Sequence, residues 1–160
     1  MRIDTVPKLA LALSEMEDQL YAKSPPPIPN ESTKDPYRRT KLREIKANRD
    51  DSLKDLYLFA FELAKLGTAR NIDIDTAVAF WGVILKPRYP QITDFIAYIE
   101  EMNADENARM YKGVTKDLWN MTLQFLKTVK ADLSDYDPEA EWPTTLDAYA
   151  AWKKQGTHGP

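Results

Sequence analysis

The side chains with the most chemical potential lie between Ala131 and Ala151. Asp132, Asp135, Asp137, Glu139 and Glu141 lead up to a Trp142-Pro143 pair, Asp147 follows, and no lysine or arginine interrupts them. Such a run could bind calcium or supply paired carboxylates for acid–base work. A calcium loop needs a glycine at its sharp turn and a correctly spaced terminal glutamate. Both are missing here, and Pro138 stands in the way. Acid–base pairs need surroundings that push their pKa values apart, and no pattern of that kind is visible. Other chemistry is excluded more firmly. There are no cysteines, so disulfides, thiolate metal sites and any covalent thioester step are ruled out for these residues. The single histidine, His158, lies in the tail and gives a serine or cysteine nucleophile no base. The five glycines fall singly and form no phosphate-binding loop. No metal site and no cofactor is expected. What remains is a surface: an aromatic anchor, Trp142, among acids that could steer a partner of opposite charge. On physics alone the plainer reading, a core tryptophan among solubilising acids, comes first.

The elements that must position these residues are helical. The 160 residues, 43% hydrophobic and 29% charged with a net charge of -3, fit one ordinary globular domain with a core of its own. No run approaches the roughly 20 apolar residues of a membrane span. Leu9–Leu13 runs straight into Glu15, Glu17 and Asp18, as an amphipathic helix does and a signal peptide does not. A cytosolic or nuclear protein is expected. Val6, Leu9, Leu13, Met16 and Leu20 mark a helix face over 5–22. Ser24-Pro-Pro-Pro-Ile-Pro-Asn30 stops it as a semi-rigid connector. That connector reads first as a plain linker and second as a peptide ligand for an SH3-type domain. Residues 35–51 are rich in base around Leu42 and Ile45. Without interleaved aromatics they read as a solvated helix face, not a nucleic-acid site.

The core follows over 52–66, with Leu53, Leu56, Tyr57, Ala60, Phe61 and Ala64 on one side, Phe59 and Leu63 widening it, and Gly67 ending it. Asp73 caps a helix over 73–86 carrying Ala77, Val78, Trp81, Ile84 and Leu85. Ile92, Phe95, Ile96 and Ile99 mark another over 91–102, before a polar loop to Gly113. Thr115 caps a helix with Leu118, Trp119, Met121, Leu123, Phe125, Leu126 and Val129 inward. Trp142-Pro143 opens the last, with proline in its first turn and Leu146, Tyr149 and Ala150 inward. No segment reads as a convincing strand. The fold class is an all-α helical bundle. The expected organisation is an N-terminal helix and connector over 1–35, a helical domain over 36–155 and a tail over 156–160.

Five segments in order resemble the PONY domain of the DCN-like (defective in cullin neddylation) family. They are Asp55-Leu-Tyr-Leu-Phe-Ala-Phe-Glu-Leu-Ala-Lys65, Ala79-Phe-Trp81, Lys116-Asp-Leu-Trp-Asn120, Ser134-Asp-Tyr-Asp137, and Glu141-Trp-Pro143 through Asp147. The likeness runs from about 50 to 153, its spacing suggests a fungal member, and it is to the C-terminal half of the domain. Residues 5–20 resemble the helix joining the two halves.

The resemblance implies a scaffold-type ligase for neddylation. It would bind the C-terminal winged-helix region of a cullin and the acetylated tail of the neddylation conjugating enzyme, alongside a RING subunit. Such a scaffold accelerates transfer by proximity and orientation and needs no catalytic residue of its own. The family's Asp-Ala-Asp cullin patch falls on Asp117, Glu141 and Asp147. Glu141 departs from it, putting a larger charged group where the family has alanine. One wall of the conjugating-enzyme pocket falls on Leu63, Phe80 and Val83. The other wall belongs to an EF-hand-like first half that these residues do not include, so binding of the conjugating enzyme is expected to be weak or lost and some apolar surface exposed. The alternative is a helical protein-interaction module with no part in neddylation.

Overall fold

The computed structural model describes residues 3–156. His158 lies outside the described residues. Seven α-helices, one π-helical turn and a two-residue β-pairing are present among them. The chain forms two compact units, residues 1–57 and 58–160, and the division falls within the third helix.

In the first unit, α1 (Val6–Tyr21) starts at Thr5, whose side chain accepts the Lys8 amide, with Pro7 in the first turn. It pairs with α2 (Thr40–Ala47), which buries Leu42 and Ile45. Ala12, Tyr37 and Leu42 form a small core, with Ile3, Met16 and Ile28 against it. Arg39, itself buried, donates to both Glu15 carboxylate oxygens, from Nε at 3.0 Å and Nη2 at 3.1 Å, and Tyr37 Oη donates to the same carboxylate. The charge-assisted bonds hold the Glu15 carboxyl below its ordinary range.

The stripe that periodicity assigns to the core of α1 packs only towards its C-terminal end, where Leu20 is buried and Met16 lies against the small core. Val6 is 78% exposed, and Leu9 and Leu13 also face solvent. Ala12 and Gln19 are buried beside Met16 and Leu20, with half-buried Glu15 between the two. Through Glu15 this side of α1 is tied to the buried Arg39.

The third helix, α3 (Arg49–Ala64), buries Leu53, Tyr57, Ala60 and Phe61. Leu56, Phe59 and Leu63, expected in or beside the core, face solvent instead. Gly67 ends this region with φ +56°, the left-handed conformation glycine allows.

The second unit is built on aromatic rings. Asp73 caps α4 (Ile74–Phe80) by accepting the Asp75 amide, and the helix passes into a π-helical turn over Trp81–Leu85, closed by the Lys86 amide on the Trp81 carbonyl at 3.2 Å. Trp81 stacks on Trp119 of α6 (Lys116–Thr128) with centroids 5.7 Å apart and meets Phe95 of α5 (Ile92–Met102) at 5.2 Å. Phe61 lies on Trp119 at 5.9 Å. Such pairs add to what burial of the large rings already contributes.

The polar loop after α5 is shaped by Asn103, which donates to the Tyr111 carbonyl at 2.7 Å and accepts the Tyr111 amide at 2.9 Å. It leads into an antiparallel pairing of β1 (Ile72–Asp73) with β2 (Gly113–Val114), in which Ile72 faces Val114. No periodicity reveals two-residue strands. A Cβ on Gly113 would stand 3.1 Å from the Ile72 carbonyl, so glycine lets the chains approach. The last helix, α7 (Thr144–Gly156), begins one residue after Pro143, whose carbonyl accepts the Leu146 amide at 2.8 Å.

Candidate protein-interaction site

The three predicted acids sit at two places, the first turn of α6 and the corner that leads into α7. Asp117 is exposed in the first turn of α6. Thr115 caps that turn, its hydroxyl accepting the Leu118 amide at 3.1 Å. An acid here also favours the positive end of the helix, by about 0.3–1 kcal/mol. Glu141 and Asp147 lie on either side of Trp142-Pro143, Glu141 exposed and Asp147 half-buried. Phe125, near the end of α6, fixes this corner. Trp142 meets its ring edge-on at 5.1 Å, Tyr136 at 6.1 Å and Tyr149 at 6.1 Å. Asp117 and Phe125 are eight residues apart, about 12 Å along the axis of α6.

Asp147 is oriented by Tyr136, whose hydroxyl donates to Oδ1. Burial first, and then this bond, push the Tyr136 phenol up from 10 to about 12. The ring is held a second time by the Lys154 ammonium, 4.8 Å from its centroid. From the sequence, Tyr136 and Trp142, neighbours of the acids, read mainly as fold support. The structure adds a second role, fixing the direction of a site carboxylate. The signal lay in the Ser-Asp-Tyr-Asp segment, where a tyrosine amid acids has few hydroxyl partners other than a carboxylate.

The acidic loop before this corner has a backbone role. Asp132 accepts the Ser134 amide at 3.0 Å, Asp135 the Lys130 amide at 2.8 Å, and Asp137 the Glu139 amide at 2.9 Å. These are turn-forming side-chain acceptors. Leu133 is buried at φ +58°, a left-handed residue held in place by the turns around it. Lys153 ties the loop down, donating to the Ala131 carbonyl and to Asp94 at 2.7 Å.

The second predicted set is apolar. Phe80 and Val83 lie three residues apart, where α4 passes into the π turn, and Leu63 is on α3. Leu63 is 66% exposed, Val83 72% and Phe80 half-buried. Phe59 and Leu66 are exposed beside Leu63 in sequence. Single π turns often accompany functional sites, and this one turns Val83 outward. Among the described residues, no cluster of His, Asp or Glu is placed to hold a metal ion, and no helix is long and apolar enough to cross a membrane.

A family model described as cullin binding matches residues 37–152. The chain belongs to this cullin-binding family. Relatives include human DCN1-like protein 5, 34% identical over 118 residues that make up 74% of this chain and 45% of the relative. The Drosophila melanogaster DCN1-like protein 4 is 34% identical over 111 residues, 69% of this chain and 42% of that protein. The Caenorhabditis elegans protein named defective in cullin neddylation protein 1 is 34% identical over 119 residues, 66% of this chain and 40% of the relative. The chain thus spans less than half the length of the curated relatives it matches. Asp117, Glu141, Asp147, Leu63, Phe80 and Val83 all fall within the matched residues.

Proposed function

We propose that this chain binds a cullin through Asp117, Glu141 and Asp147 and serves as a scaffold in cullin neddylation. The observation that carries the reading is membership of the cullin-binding family together with acids at the family patch positions, two of them exposed and the third oriented by Tyr136. The partner surface is the winged-helix region at the cullin C-terminus. Leu63, Phe80 and Val83 form one wall for the acetylated tail of the neddylation conjugating enzyme, and a RING subunit joins through the cullin complex. These residues correspond to the C-terminal half of a PONY domain, so the other wall must come from elsewhere and conjugating-enzyme binding by this half is weak. The protein acts in the cytoplasm or nucleus. Its contribution to rate is positional, since holding thioester and acceptor lysine together replaces a bimolecular encounter.

The test is the affinity of a purified cullin C-terminal domain for wild type, Asp117→Lys and Asp147→Lys. Each reversal is expected to weaken binding at least tenfold, with the difference shrinking as salt rises. Equal affinities across the three proteins would overturn the patch assignment. Asp117 makes a clean probe, because its exposure separates loss of binding from loss of fold.

A further inference from the structure

Residues 23–29 read Lys-Ser-Pro-Pro-Pro-Ile-Pro. Proline fixes φ near -65°, and a residue preceding proline is pushed to extended backbone. Ser24, Pro25, Pro26 and Ile28 all precede prolines, so covalent constraint alone selects a polyproline II helix with three residues per turn. From Pro25 onward, side chains then fall on three ridges, 26/29, 27/30 and 25/28, with bends at Lys23 and Ser24 before them.

Burial in the structure follows those ridges. Lys23, Pro26 and Pro29 are exposed, as are Ser24, Pro27 and Asn30, while Pro25 and Ile28 are half-buried. Ile28 packs against the Ala12–Tyr37–Leu42 core. Gln19 Nε2 donates to the Pro26 carbonyl at 2.8 Å, and Arg43 Nη2 to the Pro29 carbonyl at 3.3 Å. Arg43 is itself held by Glu31 at 2.8 Å. One ridge is thus anchored and two are presented.

We propose that Lys23–Pro29 is a docking ligand for an SH3-type domain, a module with an aromatic-lined groove and acidic groups at one end. Pro26 and Pro29 supply the Pro-x-x-Pro ridge that such grooves take. Lys23, exposed at the bend that precedes the extended run, places a cation three residues before Pro26, where it meets the acidic end of the groove. A mere linker needs neither feature. The two carbonyl anchors hold the segment in its bound shape beforehand, which lowers the ordering cost of association. The inference is independent of cullin binding, since every residue it uses lies in the first compact unit and none belongs to the acidic patch.

The experiment probes the full chain against an array of purified SH3 domains, with a WW-domain array for comparison, and titrates each domain that binds. At least one SH3 domain is expected to bind wild type. The double variant Pro26→Ala/Pro29→Ala should lose at least tenfold in affinity, and Lys23→Glu several-fold, the latter difference shrinking with salt. Unchanged cullin affinity and melting temperature would show that the variants remain folded. Lys23→Glu changes an exposed side chain only, so it reads the contact even where the double variant melts. Absence of binding across the SH3 array, binding to WW domains alone, or wild-type affinity in both variants would overturn the proposal.

Discussion

Tyr136 is a half-buried phenol held from three directions. Phe125 packs on it, the Lys154 ammonium lies over its ring, and its hydroxyl donates to Asp147. The bond fixes the direction of the carboxylate proposed to meet the cullin, and fixed direction reduces the entropy lost on binding. Tyr136→Phe keeps the ring and removes the hydroxyl alone. Chemical denaturation is expected to show a loss of about 1 kcal/mol, and cullin affinity should fall several-fold as Asp147 becomes free to rotate. An unchanged affinity beside the stability loss would confine this bond to folding. Glu141 stands next to the same corner but points into solvent, so its bulk has room to move while its charge still contributes to the acidic field.

Helix starts place the site more firmly than helix faces do. The first turn of α6 carries Asp117, and Thr115 holds that turn closed. Thr115→Ala should cost about 1 kcal/mol in thermal or denaturant unfolding and weaken cullin binding by fraying the turn that presents Asp117. A stability loss with full affinity would show that the acid needs no ordered turn. Asp73 capping α4 is equally legible, whereas α2 and α5 start without a side-chain cap. Faces are another matter. On α1 Val6, Leu9 and Leu13 and on α3 Leu56, Phe59 and Leu63 remain exposed, while Leu20 and, on α3, Leu53, Tyr57, Ala60 and Phe61 are buried.

Both compact units share a tyrosine-dependent response to pH. Tyr37 in the first unit and Tyr136 in the second are each raised from 10 to about 12, by burial first and by a carboxylate acceptor next. Burial also raises Tyr98 and Tyr149. A phenol that ionises later in the folded chain favours folding below its unfolded value and loses that contribution as pH rises through the folded one. Stability should therefore decline between about pH 10 and 12, with tyrosinate absorbance appearing together with unfolding. At the acid end, Glu15 is held low by Arg39. Its contribution is present above the unfolded value of 4.5 and is lost as pH falls below it. Arg39→Met should flatten that acid limb in the first unit, as read by urea midpoints across pH.

The sequence by itself determined the helical class, the capped starts of α4 and α6 and the absence of cysteine chemistry, since caps, prolines and glycines act within a few residues of where they stand. The order of Lys116-Asp-Leu-Trp, Ser-Asp-Tyr-Asp and Glu-Trp-Pro also carried the family resemblance from which the proposed patch acids come. Tertiary structure alone decided which stripes are buried. It also decided that Asp147 has Tyr136 as its partner, that the acidic loop uses its carboxylates to close turns, and that Pro26 and Pro29 face outward while Ile28 packs in. The physical reason is range. Backbone preferences are set by neighbours in the chain, whereas burial and hydrogen-bond partners depend on which distant groups arrive.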